Sequence, residues 1–314
     1  MGKASRTKVD SSRREKIAAQ RAAARRAEQR RRILIAGGSI LAVIIVIVAF
    51  IVIKASSSPS KPPTTSSANG PTGSALASVV AKVTSVPAST LNTVGIGGGA
   101  VSATPQTIKG GTALTSGGKP EMLYMGAEYC PYCAAERWSM IVALSRFGTF
   151  SGLATVHSGI KNGAGEAEPY PSTPTWTFVN ARYTSKYLTF TSVEMQTNIP
   201  DASNGSYTTL QTPTAAQNTL IDKYDVAPYT TENGALPFID FDNKYLIIGA
   251  SYNPGVLSGL SWSTIATDLH NSSSPVAQAV DGTANYITAA ICKMTGNQPA
   301  SACTSVVQSL ESKI

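Results

Sequence analysis

From Ile33 to Ile53 the chain runs through 21 residues, ILIAGGSILAVIIVIVAFIVI, without one charged side chain. At ~1.5 Å of rise per residue, a helix of that length spans about 31 Å, close to the hydrocarbon thickness of a bilayer. A cleavable signal sequence has a shorter apolar region of roughly 7–15 residues. The run is therefore expected to be a transmembrane helix at 33–53, with cleavage near Ala55 as the alternative. A buried core helix is the competing reading, but residues 1–32 are not a globular sequence that could cover it. Arg30, Arg31 and Arg32 abut one end and Lys54 alone flanks the other. The positive-inside bias then places the N-terminus in the cytoplasm and everything after Lys54 outside, in a single-pass protein of the cell membrane whose first partner is the lipid bilayer.

That topology explains an overall charge of +8, which would otherwise suggest nucleic acid. Residues 1–32 hold 12 of the 26 lysines and arginines and only 3 of the 18 acidic residues, so the body of the chain is close to neutral. No phosphate-binding surface is expected on it, and no nucleic-acid partner. The cytoplasmic basic segment is Ala- and Arg-rich from 11 to 32, and Ser12 with Glu15 has the spacing of a capping box. It is read either as a helix resting on anionic headgroups or as a topology signal that happens to be helical.

Residues 54–74 are Ser, Thr, Pro and Gly with hardly an apolar side chain, the composition of a flexible linker. From Ala75 to Ile314 apolar and polar segments alternate without an internal repeat. Periodicity predicts a helix over 75–84, an edge strand over 103–109, a buried strand over 120–125 and a helix over 131–146 with Trp138, Ile141, Val142 and Leu144 on its inner side. Further strands are expected at 153–157, 175–180 and 188–194, separated by a Gly/Pro-rich stretch over 158–175, and a helix within 214–224. The clearest hairpin joins 236–241 to 245–250 through Asp242-Asn243-Lys244. The C-terminus reads as helical within 261–270, 275–294 and 300–310. The whole describes an α/β domain with a mixed sheet flanked by helices.

Chemistry concentrates in Cys130-Pro131-Tyr132-Cys133, just after the strand LYMGAEY and at the mouth of the next helix. Two intervening residues put both sulfurs in the first helical turn, close enough to bridge. The leading cysteine falls at the N-cap, where unpaired N–H groups and the helix dipole favour a thiolate. Pro131, at the first helical position, gives up only an N–H that had no partner. A low-pKa Cys130 would attack a disulfide and the less exposed Cys133 would resolve the mixed disulfide. The only cofactor such a site needs is its own redox-active disulfide.

Strand, then Ala-Glu-aromatic-Cys-Pro-x-Cys, then helix resembles the active site of thioredoxin-fold thiol–disulfide oxidoreductases of the thioredoxin and DsbA-like kind, and the Pro-Tyr pair is the one typical of glutaredoxins. Leu236-Pro237-Phe238, just before the hairpin, resembles the second mark of that fold. The resemblance implies that Pro237 is cis and packs against the cysteines, and that Leu236 offers its backbone to an incoming substrate; Pro131, Tyr132, Leu236 and Pro237 would form the substrate-binding surface. It covers about residues 119–270, with 158–230 departing as a large insertion. The pattern as a whole, anchor included, is similar to a membrane-anchored thioredoxin-like "domain of unknown function" family of bacteria and archaea. Implied partners are protein thiols and disulfides, with a membrane redox partner that recycles the pair. One departure is that the buried carboxylate such proteins carry six residues before the first cysteine is replaced by Tyr124. Glu128 is nearer in sequence, but its position at a strand end predicts exposure.

Other readings of the pair are half a zinc site, copper handling, a purely structural disulfide, or a non-catalytic binding and assembly module at the cell surface. Zinc wants four ligands, and the remaining donors, Cys292, Cys303, His157 and His270, offer no close pair, so no metal site is expected. Cys292 and Cys303 flank Lys293–Ala302, a turn between two expected helices. They are read as a structural disulfide stapling a helical hairpin in an oxidising compartment, with a second redox pair as the alternative. His157 is read as a surface or core histidine and His270 as a helix C-terminal residue. Trp138, Trp176 and Trp262 are read as core. Gly97-Gly98-Gly99 lacks the flanking strand and helix of a phosphate loop.

Overall fold

A computed structural model describes residues 70–314. The basic segment, the apolar run at 33–53 and the linker up to residue 69 lie outside the described residues. Among the described residues no helix is long and apolar enough to cross a membrane.

The chain opens with two short helices, α1 (Gly73–Val83) and α2 (Ala88–Val94). The first begins two residues before the expected start, and the second carries too few apolar positions to be marked in the sequence. Strands β1 (Gln106–Thr107) and β2 (Thr115–Ser116) are minimal. They lead into β3 (Lys119–Gly126) and then helix α3 (Pro131–Leu144). Next come β4 (Gly148–Ser151), β5 (Ala154–His157), β6 (Pro174–Thr177), β7 (Arg182–Ser185), β8 (Thr189–Glu194), β9 (Gln196–Asp201) and β10 (Ser206–Thr209). The order closes with α4 (Ala215–Tyr224), the hairpin β11 (Phe238–Phe241) and β12 (Tyr245–Ile248), and helices α5 (Trp262–Asp268), α6 (Pro275–Met294) and α7 (Ser305–Leu310).

The sheet is mixed and centres on β3. Residues 122–125 pair antiparallel with β11, while 121–126 pair parallel with β8, so the two partners lie on opposite sides of β3. β12 extends the sheet beyond β11 and β1 forms its edge, as the segment at 103–109 predicted. The hairpin turns through Asp242 and Asn243, both at positive φ (58° and 52°), the backbone a tight turn of this kind requires. Asn243 N–H donates to the Asp240 carboxylate at 2.6 Å, fixing that turn.

Strand alternation sorts β3 onto two cores. Met122 and Tyr124 face one layer with α3 and α6, while Leu123 and Met125 join Val193, Tyr224, Phe238 and Leu246 on the other. Two expectations change. Residues 158–230 are not simply an insertion, because they supply β8, the parallel neighbour of β3; what departs from the sheet is the set of two-stranded ribbons β5–β6, β4–β7 and β9–β10. Beyond Tyr132, helix α3 has no solvent face: Cys133 through Leu144 are all buried, Glu136, Arg137 and Ser139 included. A helix covered on every side reads as buried all round rather than amphipathic, and here α6 and β6 close over the face opposite the sheet.

The tryptophans expected in the core are there. Trp138 and Trp262 donate their indole N–H to Pro174 O (2.9 Å) and Thr175 O (2.7 Å), tying α3 and α5 to β6. His157 stacks edge-on against Trp262 with 4.5 Å between rings. His270 follows α5 and its Nε2 meets Lys82 O at 3.0 Å. Gly97 packs against α6, where a Cβ on Gly282 would lie 2.7 Å from the Gly97 Cα, so these two glycines serve close packing. Cys292 and Cys303 form a disulfide with Cα atoms 5.7 Å apart, joining α6 to the segment that enters α7. Arg146 reinforces that corner by donating to Ala302 O at 2.7 Å.

Candidate functional site

The strand–helix junction builds the site. β3 ends at Gly126, Cys130 N–H donates to Ala127 O at 3.3 Å, and Ala134 N–H closes the first helical bond to Cys130 O at 2.9 Å. Cys130 is the N-cap, with extended backbone (φ −68°, ψ 119°), and its Sγ accepts from Cys133 N–H at 3.2 Å. A sulfur thus does the work that a Ser or Asp oxygen does at other helix starts.

Both thiols are free and buried, Cys130 at 5% exposure and Cys133 at none. Their acidities diverge. Burial pushes the Cys130 thiol up, but hydrogen bonds from Cys133, the Arg137 charge and the Tyr132 N–H outweigh it, and the net direction is down. Burial, then the neighbouring Cys130, pushes the Cys133 thiol well up. This split follows from geometry: the first sulfur collects the donors at the helix end, and the second sits one turn deeper with fewer of them.

Leu236–Pro237 is cis. Cys130 Sγ–H donates to Leu236 O at 3.7 Å, and the Leu236 side chain packs on the small cluster of Ala127, Cys130 and Cys133. A groove of about 490 Å³ opens over Cys130, with Pro131, Tyr132 and Leu236 in its wall. Pro237 is buried behind that wall, so of the four substrate-surface residues expected, three line the groove and one supports it.

Behind the cysteines lies a charged cluster that the sequence did not mark. Arg137 is fully buried and grips Glu194 with two bonds (Nε–Oε1 2.9 Å, Nη2–Oε2 2.6 Å), and Nη2 also donates to Ala127 O at 2.7 Å. Its guanidinium stands 5.6 Å over the Tyr124 ring. Glu194 ends β8 directly opposite Gly126 in the register. Tyr124 aims its hydroxyl at the same spot: a Cβ on Gly126 would collide with it and come within 3.0 Å of Cys133 Sγ, so only glycine fits there.

Glu128 corrects an expectation. It is fully buried, not exposed, because its N–H pairs with Gln196 O at 2.9 Å and carries the chain under the β9–β10 ribbon. Burial lifts its carboxyl to about 7, with the Thr177 hydroxyl pulling the other way. The spacing Cys133-x-x-x-Arg137, one helical turn, was the sole sequence signal for the cluster, and nothing distinguished it from an exposed charge. Among the described residues no group of three or more His, Cys, Asp or Glu is arranged to hold a metal ion.

A family model described as a domain of unknown function (DUF929) matches residues 109–293, which take in β3, the cysteine pair, the hairpin and all but the last residue of α6. No curated protein and no solved structure matches the chain.

Proposed function

The chain belongs to the DUF929 family, and we propose that it is a membrane-anchored, extracytoplasmic thiol–disulfide oxidoreductase of the thioredoxin-like kind. The observation that carries the reading is the pair of free thiols at the start of α3, with the outer one capping the helix and lowered and the inner one raised. Support for the fold comes from β3, which has a parallel neighbour on one side and an antiparallel hairpin on the other, with the proline before that hairpin cis and its preceding carbonyl on Cys130. The membrane part rests on the apolar run at 33–53.

In the reducing direction, the Cys130 thiolate attacks one sulfur of a substrate disulfide. The substrate S–S bond breaks, a Cys130–substrate disulfide forms and the first substrate thiolate leaves. Cys133 then gives up its proton and attacks Cys130 Sγ, forming the Cys130–Cys133 disulfide and releasing the second thiolate; two electrons have passed to the substrate. Oxidation of a substrate dithiol is the same sequence reversed. Arg137 favours the anion at both sulfurs. Glu128, a buried carboxyl that feels the Glu194 and Arg137 charges and titrates at about 7, can exchange a proton with this cluster near neutrality.

The test is turnover of a disulfide-linked peptide by the full-length protein in detergent, with trapping of the intermediate. Cys133→Ser should accumulate a mixed disulfide through Cys130, and Cys130→Ser should abolish exchange. Exchange that survives Cys130→Ser would overturn the assignment. A non-catalytic binding module is the second reading, favoured by the 5% exposure of Cys130 in the dithiol form. It predicts an ordinary Cys130 thiol near ~8.5 and no turnover.

A further inference from the structure

The groove over Cys130 is charged in one sense only. Its wall contains two carboxylates, Glu168 and Glu232, and neither a lysine nor an arginine, although the chain outside the basic segment is nearly neutral. The acidity is therefore local to the mouth of the cysteine pair.

Glu168 is held in place. Tyr207 donates its hydroxyl to Glu168 Oε1 at 2.8 Å, and the Tyr207 ring stacks flat on Tyr129 with centroids 4.2 Å apart. Tyr129 immediately precedes Cys130, and its carbonyl accepts from Gly159 N–H at 2.7 Å. The carboxylate is thus fixed, through one hydrogen bond and one ring stack, to the residue beside the reactive sulfur. Glu232 comes from the segment that runs into Leu236, where its N–H donates to Thr230 Oγ1 at 3.1 Å. Both carboxylates line the same groove as Tyr132, the half-exposed ring between the two cysteines; its phenol is pushed up by burial first, then by Tyr170 and Cys130, and last by the charges of Glu232 and Glu168. A groove wall that holds an aromatic ring and two carboxylates suits a lysine or arginine side chain, which gains from both the charge and the ring.

We propose that the groove selects polypeptide substrates carrying a basic residue next to the cysteine that Cys130 engages, and disfavours acidic thiols and disulfides. This rests on the thiol–disulfide exchange proposed above. A long substrate can place such a side chain on the wall while its sulfur meets Cys130, whereas a small acidic thiol brings its carboxylates against Glu168 and Glu232 and is repelled.

The test uses two synthetic peptides with one intramolecular disulfide each, identical except for lysine or glutamate on either side of the cysteines. Each is mixed with the reduced full-length Cys133→Ser protein in detergent, and the rate of mixed-disulfide formation is measured at low and high salt. The lysine peptide is expected to react faster by on the order of tenfold at low salt, with the ratio shrinking as salt screens the groove. The double substitution Glu168→Gln with Glu232→Gln should bring the ratio close to one. Equal rates for the two peptides, or a preference that survives the double substitution, would overturn the selectivity while leaving thiol exchange intact. No reaction with either peptide would overturn the exchange reading itself, and this inference with it.

Discussion

Replacing Glu128 by glutamine converts a buried carboxyl that titrates near neutrality into a side chain of the same shape that does not titrate. Burial, partly offset by Thr177, raises its pKa from 4.5 to about 7. Each tenfold change in acidity corresponds to about 1.4 kcal/mol, so the ionised form costs the fold about 3 kcal/mol relative to an exposed glutamate. The sign follows from which state binds the proton. Below 4.5 the carboxyl is protonated both folded and unfolded, and the folded state carries no penalty. As the pH rises toward 7 the unfolded chain ionises first, and the native state loses stability until its own carboxyl ionises. Above that the penalty is complete. Glu128→Gln should therefore match the parent at pH ~4 and exceed it by about 3 kcal/mol at pH ~8. Urea unfolding at both pH values, followed through the buried Trp138, Trp176 and Trp262 with the redox state of the cysteines held constant, measures the difference. Glu136 and Asp240, both lifted to about 7 by burial, and Asp281, lifted to about 8, tilt parent and variant alike. The comparison between the two proteins isolates Glu128. A stability difference that stays the same at both pH values would refute the reasoning.

Gly126→Ala should destabilise the domain by about 1–3 kcal/mol, because the new methyl meets the Tyr124 hydroxyl and Cys133 Sγ; an unchanged melting temperature would show that this corner is looser than described. Arg137→Met strands Glu194 as an unpaired buried charge and should cost about 3–5 kcal/mol, and a second change, Glu194→Met, should restore much of it. Denaturant titration of the two variants checks this, and a double variant no more stable than the single would contradict it. Removing the disulfide by Cys292→Ser with Cys303→Ser opens a loop spanning 11 positions and should cost about 3 kcal/mol by the loop-entropy relation. Thermal unfolding with and without the pair measures it, and disulfide exchange should persist in the variant if this bridge is structural.

The cysteine site was legible because its signals are local. A strand, two cysteines separated by two residues and a proline at the first helical position all fall within Lys119–Leu144, so chain geometry alone places Cys130 at the cap and Cys133 beneath it. The hairpin at 238–248 was legible for the same reason, its turn residues lying between two apolar runs. Glu128 was misjudged because its burial depends on Gln196, 68 positions away, bringing a ribbon over it.

From the order of its residues alone this chain determined where the two sulfurs stand on their helix, since capping and the phase of the first turn involve only neighbours. Tertiary structure decided what surrounds them. The parallel register of β8 against β3 carries Glu194 to Arg137, and separate loops bring Glu168 and Glu232 to the groove. Those encounters depend on which distant strands pair and which loops fold over, and a charge in a sequence looks the same whether it will face water or another charge.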